Sequence, residues 1–224
     1  MEKKAANYVS KSARSFSQQR HGNIDVIFKD PLHNEIDLSS VFNRVNALLP
    51  DHMLTNIDLV YIGDFDFMKQ RKINASYVDG AIYMSNDQDN ERDALDDLVH
   101  EFAHAVEEKY GFSIYEDGNI EKEFTSKRLK LKKILRIHDY NVDLHDFTKI
   151  EFDEELDQFL LNEVGYEKLS NLTIGMFLDP YSISSLREYF ATGFEEYYLG
   201  DRPYLSDVCP YIYKKVSYLH EENA

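Results

Sequence analysis

The sequence predicts an α+β fold: a small mixed β-sheet packed on one long helix, followed by an α-helical C-terminal lobe. Three observations carry this reading. Short alternating apolar stretches suited to strands stop at Ser85, a strongly signalled helix starts after Asn90, and helical periodicity then runs through most of the remainder. With 224 residues, 43% of them hydrophobic, the chain has enough apolar material for one compact unit or two tightly packed lobes.

Residues 1–22 read as a polar N-terminal arm, frayed or loosely helical and mainly solvated. Ile24, Val26 and Phe28 then alternate as a short strand, which Asp30-Pro31 stops. Ser39 precedes VFNRVNALL, whose apolar residues recur at helical spacing. Residues 57–62 (IDLVYI) form a second strand closed by Gly63, and residues 64–71 a short helical or irregular piece. Ala75–Val78 and Ala81–Ser85 flank Asp79-Gly80, a dipeptide that tolerates the positive φ values of a tight hairpin. In DQDNERDALDDLVHEFAHAVEEKYG, Asn90 can cap a helix, acids crowd its first turn where the dipole favours them, and Gly111 is expected to end it. Helical segments follow near 127–136, 153–164, 182–199 and 211–219. The boundary falls near Gly111, giving an N-terminal lobe of residues 23–111 and a helical lobe of residues 112–224, expected to face each other across a cleft. No internal repeat or Gly/Ser linker separates them.

Charge narrows the partners. Asp and Glu outnumber Lys and Arg by 41 to 25, and the net charge of -16 repels phosphate backbones and anionic lipid heads. Nucleic acid and membrane surfaces are therefore not expected partners, whereas a basic protein or peptide segment would be attracted. Cys209 is the sole cysteine, so no intrachain disulfide forms and a reducing compartment suits the chain. No apolar run follows the basic N-terminal stretch and no window approaches the roughly 18 apolar residues of a span. The expectation is a soluble chain, cytoplasmic or released without a recognisable signal peptide.

Residues 100–104 spell HEFAH. Two histidines four apart on a helix emerge from one face, one turn apart, and can share a tetrahedral ion; one Zn2+ per chain is expected. Such an ion lowers the pKa of a water towards about 7, and Glu101 is placed to take that water's proton and later return it to a leaving group. Leu98, Val99, Phe102, Ala103, Ala105 and Val106 put the motif on a buried helix, where two unpaired imidazoles would be costly. A catalytic zinc usually takes a third protein donor. The extension that supplies a Gly and a third His downstream is absent, since Glu107 and Tyr110 stand at those positions. Glu123 and Glu188 are the candidates, and Glu188 is favoured: it lies in SSLREYFATGFEEYYLG, where Tyr189, Phe190, Phe194 and Tyr197 form a packing face that could lay a carboxylate against the metal. Glu107, Glu108 and Glu195 are available to support the histidines from behind. His21, His33, His52, His138, His145 and His220 lack ligand spacing and read as surface residues.

LVHEFAHAVEEKYG, taken with Tyr181 and REYFATGFEEYYLG, resembles the catalytic domain of anthrax lethal factor and its smaller relatives, including the clostridial Pro-Pro endopeptidases. The resemblance implies a zincin-like fold of the gluzincin type and a zinc-dependent endopeptidase. In it, His100, His104 and Glu188 would hold the metal, and Glu101 would act as base and then acid. Tyr181, seven residues before Glu188, would donate a hydrogen bond to the oxyanion. It covers the helix of the motif and residues 181–199 well, and the preceding strands in layout only. Residues 112–165, with KRLKLKK and DEELD, depart from it as an insertion that forms a lid, a specificity wall or plain solvated helix faces, so substrate preference does not transfer. In peptidases of this architecture a substrate often adds as a strand to the sheet edge nearest the metal, expected here at residues 80–85. Two alternatives stand beside this reading: a zinc-bearing binding or toxin-like module that does not cut, and an aminopeptidase-type exopeptidase using Glu123.

Overall fold

The computed structural model describes residues 17–33, 35–71 and 73–221. Strands β1 (Ser17–His21), β2 (Ile24–Phe28), β3 (Leu59–Gly63), β4 (Ala75–Val78) and β5 (Ala81–Ser85) form one sheet in the order β1-β2-β3-β5-β4. The inner strands β2, β3 and β5 run parallel, and the outer pairs are antiparallel. Helices α1 (Leu38–Leu48) and α2 (Asp51–Leu54) make the crossover from β2 to β3, and α3 (Asp66–Arg71) precedes β4. Strand periodicity sorts the faces: Val26, Val60, Ile62, Ile82 and Met84 are buried against helices, while Tyr61 and Tyr83 stack on the other side at 5.1 Å. In the hairpin, Asp79 and Gly80 have φ of 48° and 82°, as a two-residue turn of this hand requires.

Two local expectations are corrected here. Ser17–His21 belong not to a loose arm but to β1, paired antiparallel with β2. Four of its five residues are exposed, so ladder hydrogen bonds hold it and no apolar alternation announces it. The rest of that arm, residues 1–16, lies outside the described residues. The segment at residues 80–85 is not an edge, because β5 is enclosed between β3 and β4; among the described residues β4 pairs on one side only. Helix α1 is capped by Asp37, whose side chain accepts from the Ser39 and Ser40 amides.

Helix α4 (Glu91–Tyr115) carries the motif and starts at Asn90, whose Oδ1 accepts from the Arg92 and Asp93 amides at 2.8 and 3.1 Å. It does not stop at Gly111. A mid-helix glycine costs about 1 kcal/mol against alanine, and the extra turn buries Ile114 and ties Tyr115 back to Glu107 at 2.5 Å. Beyond it come α5 (Asn119–Ile137), α6 (Glu154–Gln158), a wide helical turn at Phe159–Val164, α7 (Tyr166–Leu172), a tight turn at Tyr181–Ile183, α8 (Leu186–Leu199), α9 (Arg202–Val208) and α10 (Pro210–Glu221). Helices α7 and α9 were not expected. Ser185 caps α8 by accepting from the Glu188 amide at 3.1 Å, so that helix begins after 185 rather than at 182. Gly193 lets α8 approach α10, since a Cβ there would lie 2.5 Å from Ile212 Cγ2. Buried side chains from the sheet and from the helices form one hydrophobic cluster. The architecture is α+β and zincin-like, a mixed sheet against helices with a helical C-terminal lobe. Among the described residues no helix is long and apolar enough to cross a membrane.

Candidate metal centre

One turn of α4 brings together His100, Glu101 and His104, whose ligand atoms lie within 4.8 Å of one another. The two imidazoles stand nearly perpendicular, 83° apart in plane, with centroids at 5.1 Å. Helix α8 crosses α4 at this point, and its first turn delivers Glu188, whose Oε2 is 3.0 Å from His100 Nε2 and 3.5 Å from His104 Nε2. Bond lengths of about 2.0–2.1 Å around a tetrahedral zinc place neighbouring donors about 3.3–3.4 Å apart. Both Glu188 distances lie near that separation. The cluster is an HExxH-type arrangement compatible with Zn2+, consistent with a gluzincin-like metalloprotein.

The electrostatics follow from burial and juxtaposition. Burial pushes the Glu188 carboxyl up, but His100 and His104 outweigh it and hold the group well below the carboxylate range. Burial pulls both imidazoles down; Glu188 and Glu195 raise His100 above its ordinary value, and Glu107 and Glu188 raise His104. Unlike Glu188, Glu101 is raised, by burial against the opposing pull of His104, His100 and a backbone amide. That amide belongs to Tyr77 on β4, which donates to Glu101 Oε2 at 2.6 Å.

Behind the histidines, the structure chooses among the three acids that the sequence left open. Glu195, two turns after Glu188 on the same face of α8, places Oε2 3.1 Å from His100 Nδ1. Glu107 places Oε2 3.8 Å from His104 Nδ1. Glu108 faces the Tyr77 phenol instead. Sequence reasoning missed Arg187, whose Nε donates to His104 Nδ1 at 3.0 Å; its place beside Glu188 was the available signal.

Tyr181 lies beside the centre, its ring 6.4 Å from that of His100 and 38% exposed. Burial, then the charges of Glu188 and Glu101, push its phenol above its ordinary pKa, so the hydroxyl keeps its hydrogen. Tyr166 and Asp157 add to that rise. The 112–165 stretch is no freely solvated excursion: Phe124, Leu131, Phe147 and Phe159 enter the main cluster, and Arg128 in the basic run is buried, donating to the Lys149 carbonyl. Glu123 is engaged elsewhere. It accepts from Tyr189 Oη at 2.7 Å and the Tyr211 amide at 3.4 Å, with Lys127 at 4.0 Å. Four of the six histidines read as surface residues are also corrected. His21 stacks on Phe42, His145 on Phe159, His52 bonds the Leu219 carbonyl at 2.8 Å and His220 the Tyr198 hydroxyl at 3.0 Å.

No family model, no curated protein and no solved structure matches this chain.

Proposed function

We propose that this protein is a zinc-dependent endopeptidase of the gluzincin type. The observation that carries the reading is the convergence of Glu188 Oε2 on both histidine Nε2 atoms, with Glu101 in the same turn of helix. His100, His104 and Glu188 would hold one Zn2+, which when bound polarises a carbonyl and makes water a better nucleophile at neutral pH. Glu101 serves as the proton carrier. Its Oε2 is anchored by the Tyr77 amide, which leaves Oε1 to receive a proton from the attacking water and pass it to the leaving amine. Its raised pKa suits a group that must both take and return a proton. The protonated Tyr181 phenol donates to the oxyanion that develops on the substrate carbonyl, an interaction made only as charge appears there.

Strand β4 offers the place for the substrate backbone. The Ser85 amide donates to the Asn74 carbonyl, so residues 76 and 78 exchange hydrogen bonds with β5, and the polar groups of Ala75 and Tyr77 point outward. With the Tyr77 amide on Glu101, its carbonyl and both polar groups of Ala75 remain for an added strand. The net charge of -16 favours a basic protein or peptide as that strand. The resemblance to lethal factor and the Pro-Pro endopeptidases, carried by LVHEFAHAVEEKYG, Tyr181 and REYFATGFEEYYLG, supports the same roles. Because both Glu123 oxygens are engaged away from His104, an exopeptidase built on it has no support here.

A diverse peptide library, rich in basic sequences, incubated with zinc-loaded protein and read by mass spectrometry tests the reading. Internal cuts are expected from the parent, falling by about 10²–10⁴-fold in Glu101→Gln while zinc is retained. Intact peptides from a zinc-loaded parent would point to the binding module instead.

A further inference from the structure

A histidine that holds a metal through Nε2 carries its hydrogen on Nδ1, and that hydrogen needs an acceptor. His100 has one in Glu195. For His104 the described residues place two groups at Nδ1: Arg187 Nε at 3.0 Å, which can only donate, and Glu107 Oε2 at 3.8 Å. We propose that Glu107, held between Tyr115 and Arg187, is the positioning residue of His104: it accepts a hydrogen bond from Nδ1–H, keeping the hydrogen on that atom, and so presents a bare Nε2 to the metal. This rests on the zinc reading of the centre.

The surroundings of Glu107 are built for that task. Its side chain is 15% exposed, and its Oε1 accepts from Tyr115 Oη at 2.5 Å. Burial and the Glu107 charge push the Tyr115 phenol far above its ordinary range, so it remains a donor. Arg187 Nε lies 3.7 Å from Glu107 Oε2, and its side chain is 50% exposed. Arg187 can thus leave Nδ1 and complete its pairing with Glu107 when the ring hydrogen moves to Nδ1. Tyr115 reaches Glu107 because α4 continues beyond Gly111. His104, Glu107 and Tyr115 follow one another along one face of that helix, three and eight residues apart.

Zinc affinity, measured on the full chain by competition with a chromophoric chelator, separates the roles. Glu107→Gln is expected to weaken zinc by about 10–100-fold. Tyr115→Phe removes one hydrogen bond to the acceptor and is expected to weaken it by about fivefold. Arg187→Met is expected to bind zinc at least as tightly as the parent, because the competing donor at Nδ1 is gone. In the zinc-loaded chain, the nitrogen NMR signal of His104 Nδ1–H should shift between the parent and Glu107→Gln, a change that a carboxylate without contact to the ring would not cause. Parental zinc affinity in a folded Glu107→Gln overturns the proposal. If that variant does not fold, parental affinity in Tyr115→Phe overturns it. A parent chain that takes up no zinc would instead refute the proposed function on which it rests.

Discussion

Helices α4 and α8 meet at the site and contribute opposite chemistry. Within five residues α4 supplies two imidazoles and one carboxylate, whereas α8 supplies two carboxylates and a guanidinium spread over nine residues. Each would be costly to bury alone: paired imidazoles without acceptors on one side, Glu188 and Glu195 without cations on the other. Crossing satisfies both, which is why Glu188 is held ionised and the histidines are raised. The difference teaches that each helix satisfies the buried charge of the other; on the proposed reading the motif on α4 is a half-site that α8 completes.

The largest expected effect breaks that comparison. On the proposed reading, Glu188→Ala removes the donor shared between the histidines. If three donors share a binding free energy on the order of 12 kcal/mol, one is worth roughly 4 kcal/mol, or about 10³-fold in zinc affinity by chelator competition. Next, on the same reading, Tyr181→Phe leaves the donors intact and removes one hydrogen bond made in the transition state. Turnover of a cleaved peptide should fall by about 10²–10³-fold, with zinc affinity unchanged. The smallest effect concerns how α8 is held. Gly193→Ala drives a Cβ against Ile212 and should lower stability by about 1–3 kcal/mol in denaturant unfolding, a cost of overpacking.

The parts of this arrangement that depend on local spacing were legible in the sequence. The HEFAH turn, the Asn90 cap and the Asp79-Gly80 hairpin each follow from residues a few positions apart, and each forms as expected. The parts that depend on a crossing were legible only in outline: the packing face of α8 pointed to Glu188, and Glu195 stood as one of three acids. Nothing near His104 reveals that Arg187 will donate to it, and nothing near His100 singles out Glu195, because both arrive from the other helix. Sheet order misled for the same reason. Residues 75–78 and 81–85 form one hairpin, and which arm faces outward is set by β3 pairing with β5. Gly111 misled differently, since the turn beyond it is held by tertiary contacts of Ile114 and Tyr115 that no propensity records.

Native mass spectrometry of the full chain after dialysis against limiting zinc would test the centre most directly, with His100→Ala alongside. A shared tetrahedral site requires one tightly held zinc per parent chain and its loss in His100→Ala. A parent that emerges without zinc, or a variant that keeps it, would contradict a metal held between α4 and α8.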